Sequence, residues 1–205
     1  MIGVIDYGVG NVSAFLKIYK SLGIPAGRVL SPNDFNTCKK IVLPGVGHFD
    51  FAMQMLNNSN IRDPLDIAIM SYGMPVLGVC VGMQMMAYSS EEGSQVGLGY
   101  LPGSVRHLNN LGADKNLKVP HMGWNEINFT DQNFSFSLNE NNNPEFYFLH
   151  SYYFLPEKDT KTIGTSNYGS DFVSIASFEN VVGMQCHPEK SHSAGVNFLK
   201  YFADM

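Results

Sequence analysis

The chain is short of the features that mark several protein classes. It has only three cysteines, Cys38, Cys80 and Cys186, an odd number with no Cys-x-x-Cys spacing, which argues against a disulfide framework or a zinc site. Reduced thiols are the better reading, so a cysteine with a task is expected to be a reactive one. Positive charge is also scarce. Thirteen Lys and Arg stand against 18 Asp and Glu, a net charge of −5, and no basic stripe offers to neutralise the phosphates of a nucleic acid. The longest mostly apolar stretch, around Pro75–Ala87, is broken by glycines and a glutamine and is too short to span a bilayer. Internal repeats, linkers and low-complexity blocks are missing too. The opening run Ile2–Asp6 reads as a strand, not as a basic leader, so a soluble, cytoplasmic protein is expected.

What is present is an ordinary globular composition, 44% hydrophobic and 15% charged over 205 residues, enough for one domain over residues 1–205. Ile2–Asp6, Lys40–Leu43 and Val76–Val79 read as buried strands. Val12–Leu22, Ile61–Tyr72 and Val81–Tyr88 carry helical spacing between and after them. Alternation of this kind predicts an α/β fold with a mostly parallel central sheet flanked by helices. From Leu101 onward the pattern changes. Leu101–Leu108, Asn125–Phe129, Glu145–His150, Ser151–Leu155, Phe172–Phe178 and Val181–His187 are strand-like and expected as antiparallel additions at the sheet edge. The polar stretch Asn139–Pro144 reads as a surface loop, and Ser193–Phe202 as a closing helix.

Chemistry concentrates in three segments. Gly78-Val79-Cys80-Val81-Gly82 is a nucleophile-elbow pattern with cysteine at its centre. Small neighbours let the chain turn sharply from strand to helix. The turn leaves Cys80 at a helix N-terminus, which favours a thiolate, and turns the Val81 N–H toward a developing oxyanion. A buried core cysteine between glycines explains the pentapeptide equally well. Gln185-Cys186-His187-Pro188-Glu189 places an imidazole and a carboxylate two residues apart, on one side of an extended chain. A surface turn would give the same spacing; paired with the elbow, it becomes a candidate Cys80–His187–Glu189 triad. Pro44-Gly45-Val46-Gly47 follows a strand expected beside that of Cys80. It is either a second source of oxyanion donors or an unremarkable loop.

These segments resemble the class I, triad-type glutamine amidotransferases, and more narrowly the glutaminase subunits of imidazole glycerol phosphate synthase. The resemblance runs along nearly the whole chain. It takes in Asp6-Tyr7-Gly8, Gly10-Asn11, Pro44–Gly47, Gly78–Gln84, Ser89–Gly93, Val119–Asn125, Phe146–Tyr152, Gln185, His187–Ser191 and Gly195. It implies a flavodoxin-related fold and hydrolysis of glutamine to glutamate and ammonia through a Cys80 thioester. His187 would be the acid/base and Glu189 its orienting partner. Oxyanion donors would come from Val81 with Val46 or Gly47. Gly45, Gln84, Glu92, Ser151 and Tyr152 would hold the substrate. His121, Trp124 and Lys190 would face a barrel-shaped cyclase subunit in a heterodimer that receives the ammonia. No metal or cofactor is implied.

Three positions depart from the family pattern. Cys186 replaces a usual phenylalanine and reads as core filler, with a looser pocket or an oxidisable thiol as alternatives. Val81 replaces leucine, with little consequence for an N–H. His48 stands where a small residue is usual, either modulating the site or sitting as a plain loop histidine. Met53, Met55, Met122 and Trp124 are candidates for a docking face or for the core. Two other functions remain open on sequence: a glutaminase feeding a sugar-amidating enzyme of surface polysaccharide synthesis, and a stand-alone cysteine hydrolase.

Overall fold

The structure is a computed structural model and describes residues 1–112, 117–130 and 144–205. An 11-stranded sheet runs through the molecule. Its parallel half is β1 (Ile2–Ile5), β2 (Ala26–Val29), β3 (Lys40–Gly45), β4 (Val76–Cys80) and β13 (Val181–Met184), in the order β2-β1-β3-β4-β13. Strands β1, β4 and β13 are buried along their whole length, as expected of parallel strands covered on both faces. Beyond β13 the sheet continues antiparallel through β12 (Asp171–Phe178), β10 (Tyr152–Pro156) and β6 (Gly103–His107), and ends on the short β5 (Ser89–Ser90). Strands β8 (Asn128–Phe129) and β11 (Lys161–Asn167) branch from β12. A separate antiparallel ribbon pairs β7 (His121–Glu126) with β9 (Glu145–His150).

Helices α1 (Val12–Ser21), α2 (Phe49–Asn57), α3 (Arg62–Asp66), α4 (Val81–Met85) and α5 (His192–Asp204) complete the described fold. Helix α1 turns Phe15 and Tyr19 inward, and α5 does the same with Phe198, Leu199 and Phe202, all within one continuous apolar core. No helix among the described residues is long and apolar enough to cross a membrane.

Several expected boundaries move. The helix expected over Ile61–Tyr72 divides into α3 and a π turn at Ile67–Ser71, after which Met74 donates back to the Ala68 carbonyl. The helix expected to reach Tyr88 stops at Met85. The carbonyls of Met85, Met86 and Ala87 are taken by the N–H groups of Leu98, Leu101 and Gly99, so the following segment replaces a further helical turn. Strand β13 ends at Met184 rather than His187. Strand β2, helix α2 and strand β11 were not expected, although α2 carries helical spacing in Phe49, Ala52, Met53 and Leu56. The loop expected at Asn139–Pro144 lies, over residues 139–143, outside the described residues.

Candidate active site

The site is built where β3 and β4 meet α4. Gly45 pairs in register with Cys80, so the loop leaving β3 emerges beside the first turn of α4. A Cβ on Gly82 would strike the Leu43 carbonyl oxygen, and one on Gly45 would strike the Gly82 nitrogen. Only hydrogen at these two positions lets the helix start sit directly on the strand. Cys80 itself has φ 53° and ψ −114°, a backbone conformation that L-residues seldom adopt. This is the strained elbow that the glycine spacing predicts. The helix that follows is a single short turn, so the groups at hand are its free first-turn amides, including that of Val81, more than a long macrodipole.

His187 Nδ1 lies 2.9 Å from Glu189 Oε1, with both side chains almost fully buried. The two do not meet through an extended chain as the spacing suggested. His187 is the last extended residue, and Pro188–Lys190 forms a single 3₁₀ turn that folds the carboxylate back onto the ring. Gly195 allows this, because a Cβ there would strike the Pro188 carbonyl oxygen. Ser191 ties the turn to β9 by accepting from the Tyr147 N–H at 3.0 Å and donating to the His187 carbonyl at 2.6 Å. Burial opposes a charged His187 ring. The neighbouring Cys80 sulfur and the Glu189 carboxylate outweigh burial and raise its pKa to about 10. The arrangement therefore favours a protonated imidazole, oriented by a carboxylate, beside the Cys80 sulfur.

A cleft of about 420 Å³ opens over Cys80, a volume suited to a small-molecule substrate. Val46, Gly47, Val81, Gln84, Glu92, Ser151, Tyr152, His187 and Lys190 all line it. Gly47 adopts φ +82°, which its missing side chain permits, and among the described residues its N–H has no acceptor. Gln84 donates to the Tyr152 carbonyl at 3.0 Å and to Gln185 Oε1 at 3.1 Å. Gln185 in turn points its amide nitrogen at the Cys80 sulfur, 3.8 Å away. Glu92 accepts from the Phe49 N–H at 2.8 Å, fastening its loop to the start of α2.

Other expected site residues fall elsewhere. Gly45 does not line the cleft; it is buried under α4 and shapes the site from behind. His121 is only 3% exposed, so its ring presents no surface to a partner. Period-two alternation along β7 explains this: His121 points inward, whereas Met122 and Trp124 point out, 62% and 45% exposed. Trp124 stacks on His192 with ring centroids 5.0 Å apart, and the Lys190 ammonium sits 5.6 Å from the Tyr147 ring centre. Met53 is core and Met55 half-buried. His48 is the N-cap of α2, its Nδ1 accepting from the Asp50 N–H at 3.2 Å, which gives this departure a structural role. Cys186 is fully buried and burial pushes its thiol well up, the behaviour of core filler and not of an oxidisable thiol. Sequence reasoning missed three lining residues, Pro120, Leu149 and His150. All lie inside the family-like blocks at 119–125 and 146–152, but no residue type there signals the cleft.

The fold has close counterparts among solved structures. A glutamine amidotransferase superposes over 100% of this chain and 99% of its own with a TM-score of 0.76 at 16% identity. PurLQS from Thermotoga maritima covers 99% of this chain and 97% of its own at 0.73 and 15%. At such identities the likeness speaks for the fold alone. The sequence profile described as glutamine amidotransferase class-I matches residues 4–204. The imidazole glycerol phosphate synthase subunit HisH of Leptospira borgpetersenii is 46% identical over the full length of both chains. The subunit HisH 2 of Pseudomonas aeruginosa is 41% identical, again over 100% of both. The chain belongs to the class I glutamine amidotransferase family, on the branch of the HisH subunits.

Proposed function

We propose that the chain, acting as one domain, is a glutaminase that hydrolyses L-glutamine with Cys80, His187 and Glu189 and delivers ammonia to the cyclase subunit of imidazole glycerol phosphate synthase. The observation that carries the reading is the strained elbow at Cys80 opposite an imidazole bonded to the buried carboxylate of Glu189. Cys80 sulfur attacks the side-chain amide carbon of glutamine, forming a C–S bond and placing charge on the carbonyl oxygen. The backbone N–H groups of Val81 and of Val46 or Gly47 are the nearest donors for that oxygen, each worth roughly 3–4 kcal/mol in such sites. His187 gives its proton to the departing nitrogen, so the C–N bond breaks to ammonia and a γ-glutamyl thioester remains. The same imidazole then takes a proton from water, which attacks the thioester; glutamate leaves and the thiolate returns. Glu189 holds the ring through both steps. These are steps that the chain's own side chains supply.

Gln84, Glu92, Ser151 and Tyr152 are assigned to glutamine binding on their place in the cleft. The partner face is assigned to the apolar rim around the mouth, where Val46, Met122, Trp124 and Leu149 are exposed and Lys190 adds a positive charge. His121 supports that face from beneath rather than touching the partner. Full-length similarity to HisH subunits supports the histidine-pathway cyclase over other acceptors, and a cytoplasmic heterodimer is part of the same proposal.

The test is glutamate release from glutamine by wild type and Cys80→Ala, each with and without the cyclase and its nucleotide ligand. Strong stimulation by the cyclase, abolished by Cys80→Ala, is expected. Cys80-dependent release that ignores the cyclase would remove the partner assignment, and release that survives Cys80→Ala would remove the nucleophile.

A further inference from the structure

His150 Nδ1 lies 2.8 Å from the Tyr152 carbonyl oxygen, and His150 Nε2 lies 2.9 Å from His121 Nδ1. A carbonyl only accepts, so the proton of His150 is on Nδ1 and its Nε2 is an acceptor. His121 must then donate from Nδ1, which leaves its own Nε2 to accept. Asn125 Nδ2 stands 3.2 Å from that nitrogen and also donates to the Asn167 carbonyl at 2.9 Å, while its Oδ1 accepts from the Glu126 N–H. Both ends of the chain thus demand the same proton order. The surroundings suit two neutral rings. His121 is sandwiched between Phe148 and Tyr168, with centroids 4.9 and 4.1 Å away, and burial holds the pKa of His121 at about 4 and that of His150 at about 3.

The Tyr152 carbonyl is where this order enters the cleft. It also accepts from Gln84 Nε2, whose second hydrogen goes to Gln185 Oε1, and Gln185 then turns its amide N–H to the Cys80 sulfur. With both hydrogens committed, Gln84 is left with its oxygen, an acceptor for an N–H of the substrate. We infer that His121 and His150 are a buried, proton-ordered pair of positioning residues that fixes the Tyr152 carbonyl and, through it, the amide orientations of Gln84 and Gln185. The consequence for glutamine rests on the glutaminase reading above. His150 borders the cleft and neither ring is bonded to the Cys80 sulfur; the part assigned to the pair is to set how Gln84 and Gln185 are turned.

The donor to Tyr152 is Nδ1, so Asn at position 150 can replace it through Nδ2, whereas Gln reaches only as far as the Nε2 position. Steady-state kinetics of glutamate release by the complex with the cyclase should show His150→Gln raising KM for glutamine roughly three- to tenfold, the worth of one net hydrogen bond, with kcat little changed. His150→Asn should return KM to near the wild-type value. Equal defects in both variants, or a loss confined to kcat, would overturn the inference in favour of bulk packing. Nitrogen-15 NMR of the histidine side chains in the wild-type protein gives a reading free of activity and of any folding defect. Both rings should carry the proton on Nδ1 at neutral pH, and an Nε2–H on either would overturn the inference. If wild type shows no Cys80-dependent turnover, the glutaminase reading fails, and the NMR result alone decides the proton order.

Discussion

Replacing Cys80 by Ala and by Gly separates the strain of the elbow from the loss of the sulfur, because neither variant has a nucleophile. At φ 53° and ψ −114° any residue with a Cβ holds strain of roughly 1–3 kcal/mol. Glycine releases it. Against this stand about 0.4–1 kcal/mol for the greater freedom of glycine in the unfolded chain and about 0.8 kcal/mol for the methyl group no longer buried. The balance centres near 0.5 kcal/mol in favour of Gly, with a spread of about 1 kcal/mol either way. Thermal unfolding should therefore place Cys80→Gly within a few degrees of Cys80→Ala and on average slightly above it, at roughly 2–4 °C per kcal/mol for a chain of this size. At an unstrained buried site the same exchange costs about 1.2–1.8 kcal/mol. A Gly variant that melts lower by that full amount would mean that the elbow stores no strain and that the backbone at Cys80 is not held as described.

Native alkylation should modify Cys80, which lines the cleft, and spare Cys186, which is fully buried with its thiol pushed well up; modification of Cys186 in the folded protein, read by mass spectrometry, would contradict that. His187 should titrate at about 10 in NMR and lower in Glu189→Gln, with glutaminase kcat of that variant down by roughly 10²–10⁴. A raised pKa adds stability that is complete below the unfolded value of about 6.5 and fades as pH climbs through 10. His121 and His150 work in the opposite sense: their depressed pKa values of about 4 and about 3 give stability above about pH 6.5 that is lost as pH falls toward 4. A melting-temperature profile that stays flat from pH 7 to 4 would show that these rings are not buried neutral. His48→Ala should lower stability by about 1 kcal/mol through loss of the α2 cap, and an unchanged melting temperature would remove that role.

The local chemistry of the site was legible in the sequence. Gly78, Cys80 and Gly82 specify a sharp strand-to-helix turn, because a side chain at Gly78 would collide with α4 and one at Gly82 with β3. The apolar runs of β1, β3 and β4 with helical spacing between them specify a parallel sheet. Other features needed the third dimension. The meeting of His187 and Glu189 depends on a 3₁₀ turn, since the strand before them ends at Met184, and sequence spacing cannot tell an extended pair from a folded-back one. The end of α4 is decided by hydrogen bonds from residues 98–101, a competition invisible in the helix's own residues. His121 and Trp124 share one block of sequence yet face opposite ways, because the side that is buried depends on what packs under β7. By itself the sequence determined which groups could react and how tightly the chain must turn at them. Only the tertiary structure decided which of them meet, because contact between distant segments is set by packing and by competition for hydrogen bonds.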